Sequence, residues 1–100
     1  MDIIKINKAL SNQTRLNIFG WLKDPDKHFP PHKELGHFDF GVCVLYIQEK
    51  AQLSQSTISH YLSLMQQAEL VIPTRIGKWT YYKRNEDTVK KYAKLILEKI

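Results

Sequence analysis

The sequence predicts a mainly α-helical domain with one small β-hairpin. Three observations predict it. Apolar residues recur at steps of three and four in several segments, the period of a helix with one buried face. A two-residue turn, Gly77-Lys78, separates two runs of β-formers. Capping residues and breakers stand between these segments, where helices have to start and stop. At 100 residues, 43% hydrophobic and 25% charged, the chain has the length and balance of a single globular domain over residues 1–100.

The first helix is expected over about residues 2–10, with Ile3, Ile6 and Leu10 on one face and Lys5 and Lys8 on others. Ser11 is the candidate N-cap of a second helix over about 12–23, because its hydroxyl can accept from the orphan amides of a first turn. Leu16, Ile18, Phe19 and Leu22 are that helix's expected buried side chains, and Asp24-Pro25-Asp26 ends it. Residues 24–41 read as a long connection broken by Pro30-Pro31, Gly36 and Gly41. Within it Phe38-Asp39-Phe40 alternates like a short strand, and Phe29, Leu35, Phe38 and Phe40 are expected to tuck against the core.

A third helix over about 42–51 would bury Val44, Tyr46 and Ile47, followed by the tight turn Gln52-Leu53-Ser54. Ser54 caps a fourth helix over about 55–68. Ile58, Tyr61, Leu62, Met65 and Ala68 share one of its faces, while Gln55, Ser56, Ser59, His60, Ser63 and Gln67 lie elsewhere. The segment Val71–Lys83 is the hairpin, with Pro73 confined to a strand start or an edge. Asn85 caps a last helix over about 85–100, helped by Glu86 and Asp87 at its positive end. Its stripe is Val89, Tyr92, Ala93, Ile96, Leu97 and Ile100.

The charge is polarised along the chain. The net charge is +5 and the sequence pI near 9.4, which suits a polyanionic partner. From Lys50 to Arg84 the bases Lys50, Arg75, Lys78, Lys83 and Arg84 face the single acid Glu69, whereas acids outnumber bases between Asp24 and Glu49. The chain shows no apolar run of bilayer length, no leader-like start and a lone cysteine, so the expected location is the cytoplasm, with no membrane partner.

The basic half also holds the informative order of elements: helix, tight turn, capped polar-faced helix, basic hairpin. That is the order of a winged helix-turn-helix. A recognition helix needs an apolar face to lock onto its domain and short polar side chains opposite, so that its backbone can approach base edges. Ser54, Gln55, Ser56, Thr57, Ser59, His60 and Ser63 are therefore the candidate DNA-contacting residues on the helix, and Arg75 and Lys78 those on the hairpin.

Three segments carry a family resemblance. Lys8-Ala9-Leu10-Ser11-Asn12-Gln13-Thr14-Arg15-Leu16-Asn17-Ile18 resembles the opening helix pair of ArsR-type repressors. Leu53 to Leu62, followed by Ala68-Glu69-Leu70-Val71, is similar to their recognition helix and its exit, and Gly77 to Tyr82 to their wing. The resemblance implies a homodimer formed by the first and last helices and an operator duplex of imperfect two-fold symmetry. Ile3, Ile6, Leu10, Val89, Tyr92, Ile96 and Ile100 would then be the dimer interface.

The chain departs from the metal-sensing members of that family. Cys43 stands where one sensor type has the first thiol of a Cys-x-Cys pair, but Leu45 replaces the second, and no histidine follows His60 to serve the other type. His28, His32, His37 and Cys43 are a remaining donor set, at a spacing that matches no ordinary ligand pattern. The expectation is no metal and no cofactor. An enzyme is disfavoured, since no phosphate loop, carboxylate pair or nucleophile elbow is present. The alternative to DNA binding is a winged helix whose polar face docks a protein.

Overall fold

The computed structural model describes residues 1–100. Its elements are α1 (Ile3–Leu10), α2 (Gln13–Lys23), α3 (Pro25–His28), β1 (Val42–Cys43), α4 (Val44–Ala51), α5 (Gln55–Gln67), β2 (Val71–Ile76), β3 (Trp79–Arg84) and α6 (Glu86–Lys99).

Asp2 caps α1, its carboxylate accepting from the amides of Ile4 and Lys5 at 3.0 and 3.1 Å. The cap of α2 is Asn12, not Ser11. The Asn12 Oδ1 accepts from the Arg15 amide at 3.0 Å, while Ser11 closes α1 and donates its hydroxyl to the Lys8 carbonyl at 2.7 Å. The two helices are so close that one residue must end the first and the next must start the second. α2 buries Ile18, Phe19 and Leu22. Leu16, expected inside, is 47% exposed, because Arg15 takes the inward position of that turn and bonds to the end of α1.

The connection holds more structure than expected. Pro25 opens a single helical turn, α3, where its missing N–H costs nothing. The expected strand at Phe38–Phe40 does not form. Those residues make a turn closed by the Gly41 amide on the Phe38 carbonyl at 2.9 Å, and Phe40 is exposed rather than tucked in. The strand comes two residues later, as β1, which pairs antiparallel with β3 (Val42 with Tyr82, Cys43 with Tyr81). Pairing to β3 occupies the backbone of Val42 and Cys43, so the third helix expected from residue 42 starts at Val44. The hairpin is therefore part of a three-stranded sheet of order β1-β3-β2.

β2 is an edge of that sheet, which accommodates Pro73. Gly77 sits at φ +61 in the two-residue turn between Ile76 and Trp79. The exits of α4 and α5 use non-glycine residues in the left-handed region, Gln52 and Glu69. After α5 the amides of Glu69 and Leu70 reach back to the carbonyls of Gln66 and Met65, both at 2.9 Å, a Schellman closure that turns the chain into β2. Ile6, Ala9, Ile18, Phe19, Leu22, Phe29, Val42, Ile47, Ile58, Leu62, Met65, Ala68, Leu70 and Val71 form one contiguous core.

Candidate nucleic-acid interface

α5 is locked by its apolar face. Ile58, Leu62 and Met65 are buried, and Arg15 lies over the Tyr61 ring with its Cζ 5.0 Å from the centroid. The hydroxyls at its start are partly committed to the cap. The Ser54 Oγ accepts from the Thr57 amide at 3.2 Å, donates to the Thr57 Oγ1 at 2.9 Å and lies 3.2 Å from the Ser56 Oγ. Thr57 is half-buried on the flank of the helix, and Ser54, Gln55, Ser56, Ser59, His60 and Ser63 are exposed. The Ser63 Oγ accepts from the Gln67 side-chain amide at 3.3 Å, which joins Gln67 to the same outward face.

The wing borders one flank of this helix. Arg75 and Lys78 are both exposed at the hairpin tip. The Arg75 Nε donates to the Gly77 carbonyl at 3.2 Å, and the Lys78 ammonium stands 5.2 Å over the Trp79 ring. Between helix and wing runs a groove of about 290 Å³, lined in part by Leu45, Gln55, Ser59, Lys78 and Trp79. Side chains able to exchange hydrogen bonds with bases thus sit beside side chains able to neutralise phosphates.

The opposite flank was not visible as part of a site in the sequence. There α1, α2 and α5 enclose a cleft of about 180 Å³ lined by Lys5, Lys8, Ala9, Arg15, Leu64 and Gln67. Arg15 is fixed within it, its Nε donating to the Ala9 carbonyl at 2.7 Å and an Nη to the Lys8 carbonyl at 3.2 Å. No single segment signals this grouping, because its members come from three helices.

The terminal helices carry apolar surface unevenly. Ile6 is 0% exposed and belongs to the chain's own core, so it has no surface to offer a partner, contrary to the expectation for it. Leu10, Val89 and Tyr92 are half-buried and pack on that core, and the Tyr92 hydroxyl bonds to the Asn7 Oδ1, tying α6 to α1. Ile3 and Ile96 are half-buried, whereas Leu97 is 82% and Ile100 97% exposed. Apart from Thr88, no residue of α6 is buried.

The histidines of the connection separate. His28 and His37 are exposed. His32 is buried, with its Nδ1 2.9 Å from the Tyr81 hydroxyl and its ring between those of Tyr46, Trp79 and Tyr81. It clamps the connection onto the central strand. No three His, Cys, Asp or Glu side chains gather closely enough to hold a metal ion. Cys43 is buried, and burial pushes its thiol up despite the nearby amides of Leu45 and Tyr46, which favour the thiolate. Burial pushes the Tyr81 and Tyr82 hydroxyls up as well. A buried lone thiol without a second donor does not fit a thiolate metal site.

Comparison with known proteins agrees with this architecture. An uncharacterised HTH-type transcriptional regulator of Bacillus subtilis, YbzH, is 46% identical over 100 residues, spanning 100% of both chains. An uncharacterised HTH-type transcriptional regulator of Methanocaldococcus jannaschii is 30% identical over 94% of this chain and 90% of its own. A protein of Halobacterium salinarum provisionally named as an arsenical resistance operon repressor, ArsR2, is 28% identical over 85% of this chain and 60% of its own. Two solved structures share the fold. HlyU of Vibrio cholerae matches with a TM-score of 0.66 at 22% identity, over 93% of this chain and 85% of that one. NolR of Sinorhizobium fredii matches with a TM-score of 0.61 at 23% identity, over 95% and 80%. No family model matches the chain.

Proposed function

This chain belongs to the ArsR-type family of winged helix-turn-helix transcriptional regulators, and from that premise we propose that it is a cytoplasmic homodimeric repressor that reads an operator duplex of imperfect two-fold symmetry. Each protomer acts as one domain over residues 1–100. α5 enters the major groove, with Gln55, Ser56, Ser59, His60 and Ser63 turned toward base edges. Ser54 and Thr57 chiefly hold the helix start, whose free amides suit a phosphate oxygen. Arg75 and Lys78 meet the flanking backbone. Repression follows from occupancy: a protein seated on promoter DNA blocks other proteins from the same groove.

The observation that carries this reading is the polar, acid-free outer face of α5, held rigid by Ile58, Leu62 and Met65 and bordered by the wing. Dimerisation through α1 and α6 is supported by the exposed Leu97 and Ile100. A chain alone would leave this apolar surface in water. The Halobacterium relative is named for arsenical resistance, but this chain's donor set supplies no thiolate pair, so the reading includes no metal inducer and no cofactor. We read the protein as a non-enzyme.

The test uses duplexes selected from a random-sequence library by the wild-type protein. Gln55→Ala, Ser56→Ala and His60→Ala each remove a base-reading group. Each is expected to weaken binding to the selected duplex by about 1–3 kcal/mol, with little change on random duplex. Equal losses on both duplexes contradict base reading. Failure of the wild-type protein to enrich any duplex, together with salt-independent binding to a protein, supports the protein-docking alternative.

A further inference from the structure

We infer that the cleft between α1, α2 and α5 is a second phosphate-binding site, which grips the strand of the duplex on the far lip of the groove that α5 enters. This rests on the reading of α5 as the recognition helix. Lys5, Lys8 and Arg15 line the cleft with Leu64, Ala9 and Gln67, and no acid is among them. The ion pairs of the chain join Met1 to Glu69, His37 to Asp39, Arg84 to Glu86, Lys91 to Asp87 and Lys94 to Glu98, so Lys5 and Lys8 have no carboxylate partner.

Local structure accounts for only part of this charge. Lys8 lies in the last turn of α1, where a cation complements the helix dipole, and Arg15 satisfies the last carbonyls there. Lys5 has no such role. It stands in the first turn of α1, where the dipole opposes a positive charge. Arg15 is also anchored by two carbonyls and the Tyr61 ring. The cleft therefore has a fixed cation at its floor and two free ammonium groups at its rim, a concave site suited to a phosphate.

Position selects the occupant. The cleft reaches α5 through Leu64 and Gln67, and Gln67 is bonded to Ser63 on the outward face. The wing groove reaches α5 through Gln55, Ile58 and Ser59. The two basic features thus flank the same helix on opposite sides. A major groove is about 12 Å wide, with a phosphate strand along each lip, and a helix with its side chains, roughly 10–12 Å across, fills it. A strand then lies against each flank of α5. Lys78 and Arg75 serve one, and Lys5 and Lys8 serve the other.

The experiment compares wild type with K5Q/K8Q on the selected duplex across a potassium chloride series. Arg15 is left in place because its loss would unmoor α1. Each lost phosphate contact is expected to make the negative slope of log affinity against log salt shallower by about 0.9 and to weaken binding about fivefold near 0.15 M salt. A scan of single neutral methylphosphonate linkages locates the contact. Wild type is expected to be sensitive on both lips, K5Q/K8Q to lose sensitivity on one, and K78Q to lose it on the other. An unchanged salt slope in K5Q/K8Q, or loss at the same linkages as K78Q, overturns the inference while leaving the role of α5 standing. Pyrophosphate binding to free protein that disappears in K5Q/K8Q, with duplex binding untouched, assigns the cleft to a free anion and also overturns it. A wild-type protein that selects no duplex removes the function itself.

Discussion

Gly41 is where a single methyl group should do most damage. It sits at φ +93, and a Cβ there would lie 1.9 Å from the Tyr82 carbonyl oxygen, 2.4 Å from its carbon and 2.7 Å from the Lys83 nitrogen. All three are backbone atoms of β3, which is held by β1 on one side and β2 on the other, so none can rotate away. Gly41→Ala therefore has to push residues 40–43 off the central strand, breaking the pairing of Val42 with Tyr82 and of Cys43 with Tyr81. Left-handed strain costs about 1–2 kcal/mol, each lost backbone hydrogen bond about 1 kcal/mol, and partial exposure of Val42 about 1 kcal/mol more. The sum is at least about 3 kcal/mol, or a fall in Tm of more than about 12 °C for a domain of this size. Gly36→Ala is the control, because Gly36 has a comparable φ of +74 but nothing within 4 Å of the added carbon. Its cost should stay near 1 kcal/mol, partly offset by the stiffer unfolded chain. Thermal unfolding followed by circular dichroism compares the two. If Gly41→Ala melts within about 3 °C of Gly36→Ala, the close approach to β3 is not the constraint described, and the steric argument is wrong.

Three further outcomes are expected. Leu97→Glu adds a charge to an exposed position of the C-terminal stripe without touching the core. It should leave Tm of the monomer nearly unchanged while raising the dimer dissociation constant by a factor of about 30 or more, because the charge would be buried unpaired. Sedimentation that still finds full dimers would place the interface elsewhere. Cys43 should alkylate in the native protein at pH 8 on the order of a hundredfold more slowly than in denaturant, since burial keeps it protonated and covered. Because its folded pKa lies above the unfolded value, its contribution to stability is complete below the unfolded thiol pKa of roughly 8.5 and is lost as pH rises past it. Cys43→Ala should therefore flatten the alkaline fall in denaturant-measured stability, and an unchanged profile between pH 8 and 10 would refute that assignment.

The residues that face outward on α5 were legible in the sequence because both of their determinants are local. The period of Ile58, Leu62 and Met65 sets which side of the helix turns inward, and Ser54 sets where it starts. The same holds for the Gly77-Lys78 turn and for the cap at Asn85, each decided within a few residues. The sequence alone thus determined the order of the five longer helices and the hairpin, the outward set from Gln55 to Ser63 and the basic character of the hairpin. Tertiary structure decided whatever depends on residues far apart in the chain. Residue 6 carries the same stripe signal as Ile3 and Leu10, yet only packing shows that Ile6 is core rather than interface. Val42 and Cys43 become a strand because β3, some forty residues later, offers them backbone partners. Leu16 yields its inward place to Arg15, which finds carbonyls at the end of another helix. His32 is a buried clamp rather than a loop ligand because Tyr81 lies beneath it. The Lys5, Lys8 and Arg15 cleft exists only where three helices meet. Periodicity and capping act over a turn or two and leave a local trace. Burial, strand pairing and charge clustering are properties of the assembled chain and leave none.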